Sequence, residues 1–199
     1  MKLATDPASA PPGPTPRRRF GDNGALGMAL FVFTEIMLFG GFVSAFAIVR
    51  DSAPLGAWPP AGQPRLPVER TALNTAALLL SGVALWIAGR AFKAGRTQAA
   101  ARWTGGAVAL GAAFVVLQGA EWAALLRQGL TLTSSQLGSF FYTIIGTHAL
   151  HSVAAILALG LAWRLMLLGR LTASRFAAVR IFWYFVVLVW PLIYWQVYR

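Results

Sequence analysis

The sequence predicts an all-α fold, a polytopic membrane protein of five transmembrane helices, and three observations carry that reading. Five apolar stretches, each long enough to cross a hydrocarbon core at 1.5 Å rise per residue, alternate with short segments rich in charge, proline or glycine. Of the 199 residues 57% are hydrophobic and only 12% charged, a balance of multi-span membrane proteins rather than of soluble domains. The 17 lysines and arginines, finally, are divided unequally between the two ends of the spans.

Residues 1–23 precede the first span. Met1 to Pro16 is rich in proline and alanine, and no apolar run precedes Arg17, Arg18 and Arg19, so this stretch reads as a disordered arm and not as a signal peptide. Residues 24–199 form the membrane domain. Gly24 to Val49 is a nearly unbroken apolar run that ends at Arg50 and Asp51, the first span. Ser52 to Pro67 holds Pro54, Pro59, Pro60, Pro64 and Pro67, which excludes a continuous helix, and Trp58 is expected at headgroup depth in this loop.

Glu69 to Phe92 gives the second span and Ala101 to Leu126 the third, with Arg90, Lys93 and Arg96 between them. A turn at Gly129 leads to the fourth, Leu137 to Met166, and Leu168 to Ala173 connects it to the fifth, Arg175 to Tyr198, which is rich in tryptophan and tyrosine. Twelve of the basic residues fall at the side of the N-terminus and five at the other, which predicts a cytoplasmic N-terminus and an external C-terminus. Small residues at Gly40-Gly41 and Gly105-Gly106 are expected to let helices approach closely, and Met37, Phe39 and Phe42 read as packing that faces lipid or a partner.

The net charge of +11 does not indicate nucleic acid, because the basic residues are scattered between apolar spans and form no continuous basic face. The absence of cysteine removes disulfides, thiolate zinc and iron–sulfur clusters.

Four polar positions inside the spans carry the functional question. Glu35 lies about eleven residues into the first span, where a carboxylate costs several kcal/mol unless it is paired, hydrated or protonated. A structural acid bonded to a neighbouring helix is one reading; proton handling, or contact with lipid or another subunit, is the other. Glu121, near the end of the third span, reads as structural, with its side chain snorkelling to the interface.

His148 and His151 are the only histidines, and at spacing i, i+3 they share one helical face. Packing or hydrogen bonding at a helix contact is the leading reading for them, ahead of a role facing protons or lipid and ahead of metal ligation. A metal would need further ligands. Two histidines one turn apart on one helix cannot reach opposite faces of one haem, so bis-histidine ligation within the chain is excluded.

Taken together in order, several stretches resemble subunit III of the haem-copper cytochrome c and quinol oxidases, over about residues 24–198. Phe33-Thr34-Glu35-Ile36-Met37-Leu38-Phe39-Gly40-Gly41-Phe42 is similar to the family's Ser-Glu-x-Met/Leu-Phe-Phe-Ala/Gly-x-Phe helix, and Leu73-Asn74-Thr75 with Leu79-Leu80-Ser81-Gly82 to its Leu-Asn-Thr and Leu-x-Ser-Gly motif. Gln118-Gly119-Ala120-Glu121-Trp122 resembles Gln-x-x-Glu-Tyr/Trp, and Gly146-Thr147-His148-Ala149-Leu150-His151 resembles Gly-Phe-His-Gly-Leu-His, with Thr147 and Ala149 in place of Phe and Gly. The last helix departs further. Trp183 to Trp190 lacks the histidine and aspartate that many members carry there.

The resemblance implies the five-helix form of the subunit, whose parity agrees with the orientation read from charge. It implies that Glu35 is the carbodiimide-reactive carboxyl, with Asn74, Gln118, Glu121, His148 and His151 as the family's polar residues. It further implies an accessory subunit without a redox centre, in the inner membrane of a bacterium, that binds phospholipid and supports proton uptake and durability of the catalytic subunit. Haem and copper would then lie in partner subunits, with subunits I and II and membrane lipids as partners. A homologue associated with nitric oxide reductase and an independent transporter are the alternatives.

Overall fold

The computed structural model describes residues 23–54, 58, 64, 66 and 68–198. The expected arm, much of the proline-rich loop and Arg199 lie outside them. Among the described residues there are five helices and no strands: α1 Gly24–Asp51, α2 Val68–Lys93, α3 Thr97–Arg127, α4 Gln136–Leu167 and α5 Ala173–Tyr198. All five are long and apolar enough to cross a membrane. At 26 to 32 residues they run about 39–48 Å against a hydrocarbon core of about 30 Å, so their ends emerge into the headgroup layers. Each expected span is present; α1 begins at Gly24 and α5 ends at Tyr198 as expected, and the other ends run one to four residues further.

Tight connections keep neighbours antiparallel. Gly95 (φ 72°), Gly129 (φ 90°) and Gly169 (φ 66°) each stand just past the C-terminus of α2, α3 and α4, in the left-handed conformation that other residues adopt only with strain. Ser135 caps α4 by accepting the Gly138 N–H at 3.0 Å.

α5 is the centre of the bundle and packs on α1, α2 and α4; α2 and α3 form a closely packed hairpin, and α4 closes on α3. Trp183 and Trp190, two turns apart on one face of α5, are fully buried and fasten it to α2. The Trp183 indole donates to Ser81 Oγ at 3.1 Å, and that of Trp190 donates to Thr75 Oγ1 at 2.8 Å. Each hydroxyl passes its own proton to a carbonyl one turn back, that of Leu78 or Thr71, so no polar group at this seam is left unpaired.

α5 continues through Pro191, whose missing N–H leaves one carbonyl of the preceding turn without its helical donor. α1 is the peripheral helix. It touches α5 and α4, and buries only Phe39 and Phe46. Trp58 packs edge-on against Phe46 at 5.7 Å, half-buried over the outer end of the bundle.

Of the small residues expected at close helix contacts, Gly105 lies at one, while Gly40, Gly41 and Gly106 do not. A Cβ at Gly40, Gly41 or Gly106 would meet nothing within 4 Å, while Gly82, Gly89 and Gly111 lie directly beneath Val187, Arg180 and Trp183 of α5, and Gly105 beneath Trp163. Small residues permit contact but do not choose the face. The large side chains of α5 choose it. The Met37, Phe39, Phe42 group also divides: Met37 is exposed, Phe42 half-buried, and Phe39 is buried between the two histidines.

Candidate functional site

Glu35 of α1 and His151 of α4, separated by two whole helices in the chain, meet across the α1–α4 contact. His151 Nε2 lies 3.0 Å from Glu35 Oε2, at ion-pair distance though off the line of a well-aligned hydrogen bond, and both side chains are largely buried. The other imidazole nitrogen decides the chemistry. Nδ1 is 2.8 Å from the Thr147 carbonyl, which can only accept, so Nδ1 carries hydrogen and Nε2 is the nitrogen whose proton can change.

Two arrangements of the contact are open to chemistry: a neutral acid beside a neutral imidazole, or a carboxylate facing an imidazolium. Both arrangements are neutral overall. Removing or adding a proton would leave a net charge in apolar surroundings, at a cost of several kcal/mol. Phe31, Phe39, Phe182 and Phe185 surround the His151 ring with centroids 5.7–6.3 Å away and keep the contact in apolar surroundings.

His148 does not join that contact. It is 1% exposed, set against Trp190 with ring centroids 5.0 Å apart, and Phe39 touches both its ring and that of His151, at 6.1 and 5.7 Å. Among the described residues no three histidine, aspartate or glutamate side chains come together, and His148 and His151, one turn apart on α4, cannot ligate opposite faces of one haem.

Glu121 is half-buried and hydrogen-bonded to both α2 and its own helix. Thr71 Oγ1 donates to its Oε2 at 2.8 Å, Asn74 Nδ2 to Oε1 at 3.2 Å, and Gln118 Nε2 to Oε2 at 3.3 Å. The Gln118 amide also donates to the Tyr198 hydroxyl at 3.2 Å, which ties α3 to the end of α5. Three donors thus converge on the carboxylate from α2 and α3, while it also lines an open cleft with Arg70 and Gln128 near the helix ends. Asn74, Gln118 and Glu121 are thus one cluster, and Glu35 with His151 another.

Sequence reasoning missed Thr71, Tyr198 and the two tryptophan seams. The signal for the seams was present: Thr71, Thr75, Leu78, Ser81 and Leu85 fall at helical spacing on one buried stripe of α2, and Trp183 and Trp190 are seven residues apart.

The fold and these sites define a multi-pass helical membrane protein that holds paired titratable side chains within its spans. Residues 20–199 match the family described as cytochrome c oxidase subunit III. Among curated relatives, cytochrome c oxidase subunit 3 of Equus caballus, of Ovis aries and of Dasypus novemcinctus are each 31% identical over 179 residues, covering 86% of this chain and 67% of the relative. The chain belongs to the cytochrome c oxidase subunit III family.

Proposed function

We propose that this chain is an accessory, non-redox subunit of a haem-copper terminal oxidase, oxidising cytochrome c or quinol, in the inner membrane of a bacterium. Family membership supports the complex, and the Glu35–His151 contact is the single observation that carries the role. A carboxyl and an imidazole that hold one proton between them, on the helix with the most uncovered surface, suit a subunit that supports proton uptake by a catalytic neighbour.

In this reading subunits I and II are the partners and hold haem and copper, which supply the electron transfer and oxygen chemistry. Phospholipid covers the apolar faces left open. The N-terminus is cytoplasmic and the C-terminus periplasmic, from the twelve-to-five division of basic residues.

The test is purification through a tag on this chain. A haem-containing complex is expected, in which Glu35→Gln slows proton-coupled turnover without loss of the subunit, while Glu35→Ala also loosens its association. Purification without any haem protein would refute the accessory role. A fully active Glu35→Gln complex would refute the role of the pair.

A further inference from the structure

Beside the turn that joins α2 to α3, an open groove of about 340 Å³ runs between the two helices, with Trp86 and Arg90 of α2, Trp103 of α3 and Arg96 of the turn along it. Its shape follows from the sequence. The residues that the helices bury near the turn are mostly small, Ala84, Ala88, Ala91, Ala100 and Ala101 among them, so α2 and α3 lie close. The large Trp86 and Trp103 are left standing out from the hairpin, 50% and 45% exposed.

The positive charge of the groove is uncompensated. No acidic residue stands between Glu69 and Glu121 in the sequence. The four described acids, Glu35, Asp51, Glu69 and Glu121, lie within α1 or toward the opposite ends of α1, α2 and α3. Arg90 and Arg96 are both exposed, and among the described residues neither guanidinium has a hydrogen-bond or ion-pair partner. The Arg90 guanidinium lies 5.0 Å from the centre of the Trp86 ring, a contact that steadies it beside the groove.

Apolar surface continues from the cations toward the middle of the membrane. Val83 and Leu79 stand seven and eleven residues before Arg90 on the same face of α2, 53% and 42% exposed. At 1.5 Å per residue Leu79 lies about 16 Å from Arg90 along the helix, close to half of a hydrocarbon core of about 30 Å.

Paired cations at the helix ends, tryptophan beside them and an apolar stripe of one leaflet's depth repeat the order of parts in a phospholipid: phosphate, glycerol backbone, acyl chain. A soluble anion would engage the arginines and leave Val83 and Leu79 uncovered. A zwitterionic headgroup carries its own cation, which two arginines without an acid repel. We infer that this groove is a binding site for one anionic phospholipid, with the phosphate on Arg90 and Arg96 and an acyl chain along Val83 and Leu79. The site requires only that the chain spans a membrane, and it lies on helices that take no part in the Glu35–His151 contact.

Native mass spectrometry of the complex purified through a tag on this chain, titrated with phosphatidylglycerol, tests it. Arg90→Gln and Arg96→Gln together should remove one tightly held phosphatidylglycerol per copy of the chain, weakening that site about thirtyfold at roughly fivefold per basic residue. Arg164→Gln with Arg170→Gln takes the same charge from exposed positions at the same end of the bundle, outside the groove, and should leave that lipid in place. Equal loss in the two double variants, equal retention of phosphatidylethanolamine, or displacement by inorganic phosphate would overturn the inference. A high-resolution map of the unsubstituted complex gives a second reading. Acyl-chain density along Val83 with a headgroup at Arg90 and Arg96 supports the site, and a partner's protein segment seated in the groove overturns it.

Discussion

Gly111→Ala puts the packing of α3 against α5 to a quantitative test. A Cβ at Gly111 would lie 2.6 Å from Cη2 and Cζ2 of Trp183 and 3.1 Å from Ile156 Cδ1, so the substitution cannot be absorbed without moving a neighbour. Trp183 is fully buried and its indole is fixed to Ser81, so it has nowhere to go. Overpacking of this kind costs about 1–3 kcal/mol, and a weakened indole hydrogen bond adds up to about 1 kcal/mol.

Replacing glycine by alanine inside a helix returns about 1 kcal/mol. The net expectation is a loss of up to about 3 kcal/mol. Gly106→Ala is the matched control, five residues away on the same helix with nothing within 4 Å of its Cβ, and it should keep only the helical gain. Thermal melts of the two variants in one detergent read the difference: Gly111→Ala melts below the parent, and Gly106→Ala melts at or above it. Equal melting of the two would refute the α3–α5 packing described here.

Further outcomes follow from the polar contacts. Thr75→Val strands the Trp190 N–H in the core and should cost about 1–3 kcal/mol, as chemical denaturation would show; a variant as stable as the parent would contradict the seam. A hydrophobic carbodiimide should label Glu35 ahead of Glu121, because a lone imidazole faces the first and three donors hold the second; peptide mapping that finds Glu121 first would reverse the assignment. A reporter joined after Arg199 should be active only outside the cytoplasm, and activity of a cytoplasmic reporter there would overturn the orientation drawn from the charge division.

The spans were legible because an apolar run of twenty or more residues has one outcome in a bilayer, and the turns because Gly129 and Gly169 punctuate those runs. Rotation of each helix about its axis was not legible. Helices apolar on nearly every side give no pattern that says which face turns inward, so Gly40-Gly41 looked as suited to contact as Gly82 and Gly111.

Glu121 shows the same limit in depth. Its distance from the span's end suggested an exit to water, and it does line an open cleft there, but the donors that Thr71 and Asn74 of the neighbouring helix present to it were not legible. Glu35 was recognisable as an acid deep in a span, and His151 as a residue expected to pack or hydrogen-bond at a helix contact. Their meeting depended on α1 lying against α4, which chain order conceals because α2 and α3 intervene.

The claim that Glu35 and His151 act as one proton-holding unit is tested most directly by a double-mutant cycle on proton-coupled turnover of the assembled complex, with Glu35→Gln, His151→Asn and both together. If one proton serves both groups, either substitution abolishes its exchange, and the double variant should be no slower than the slower single one. Losses that multiply, each variant acting as though the other residue were absent, would contradict the shared proton.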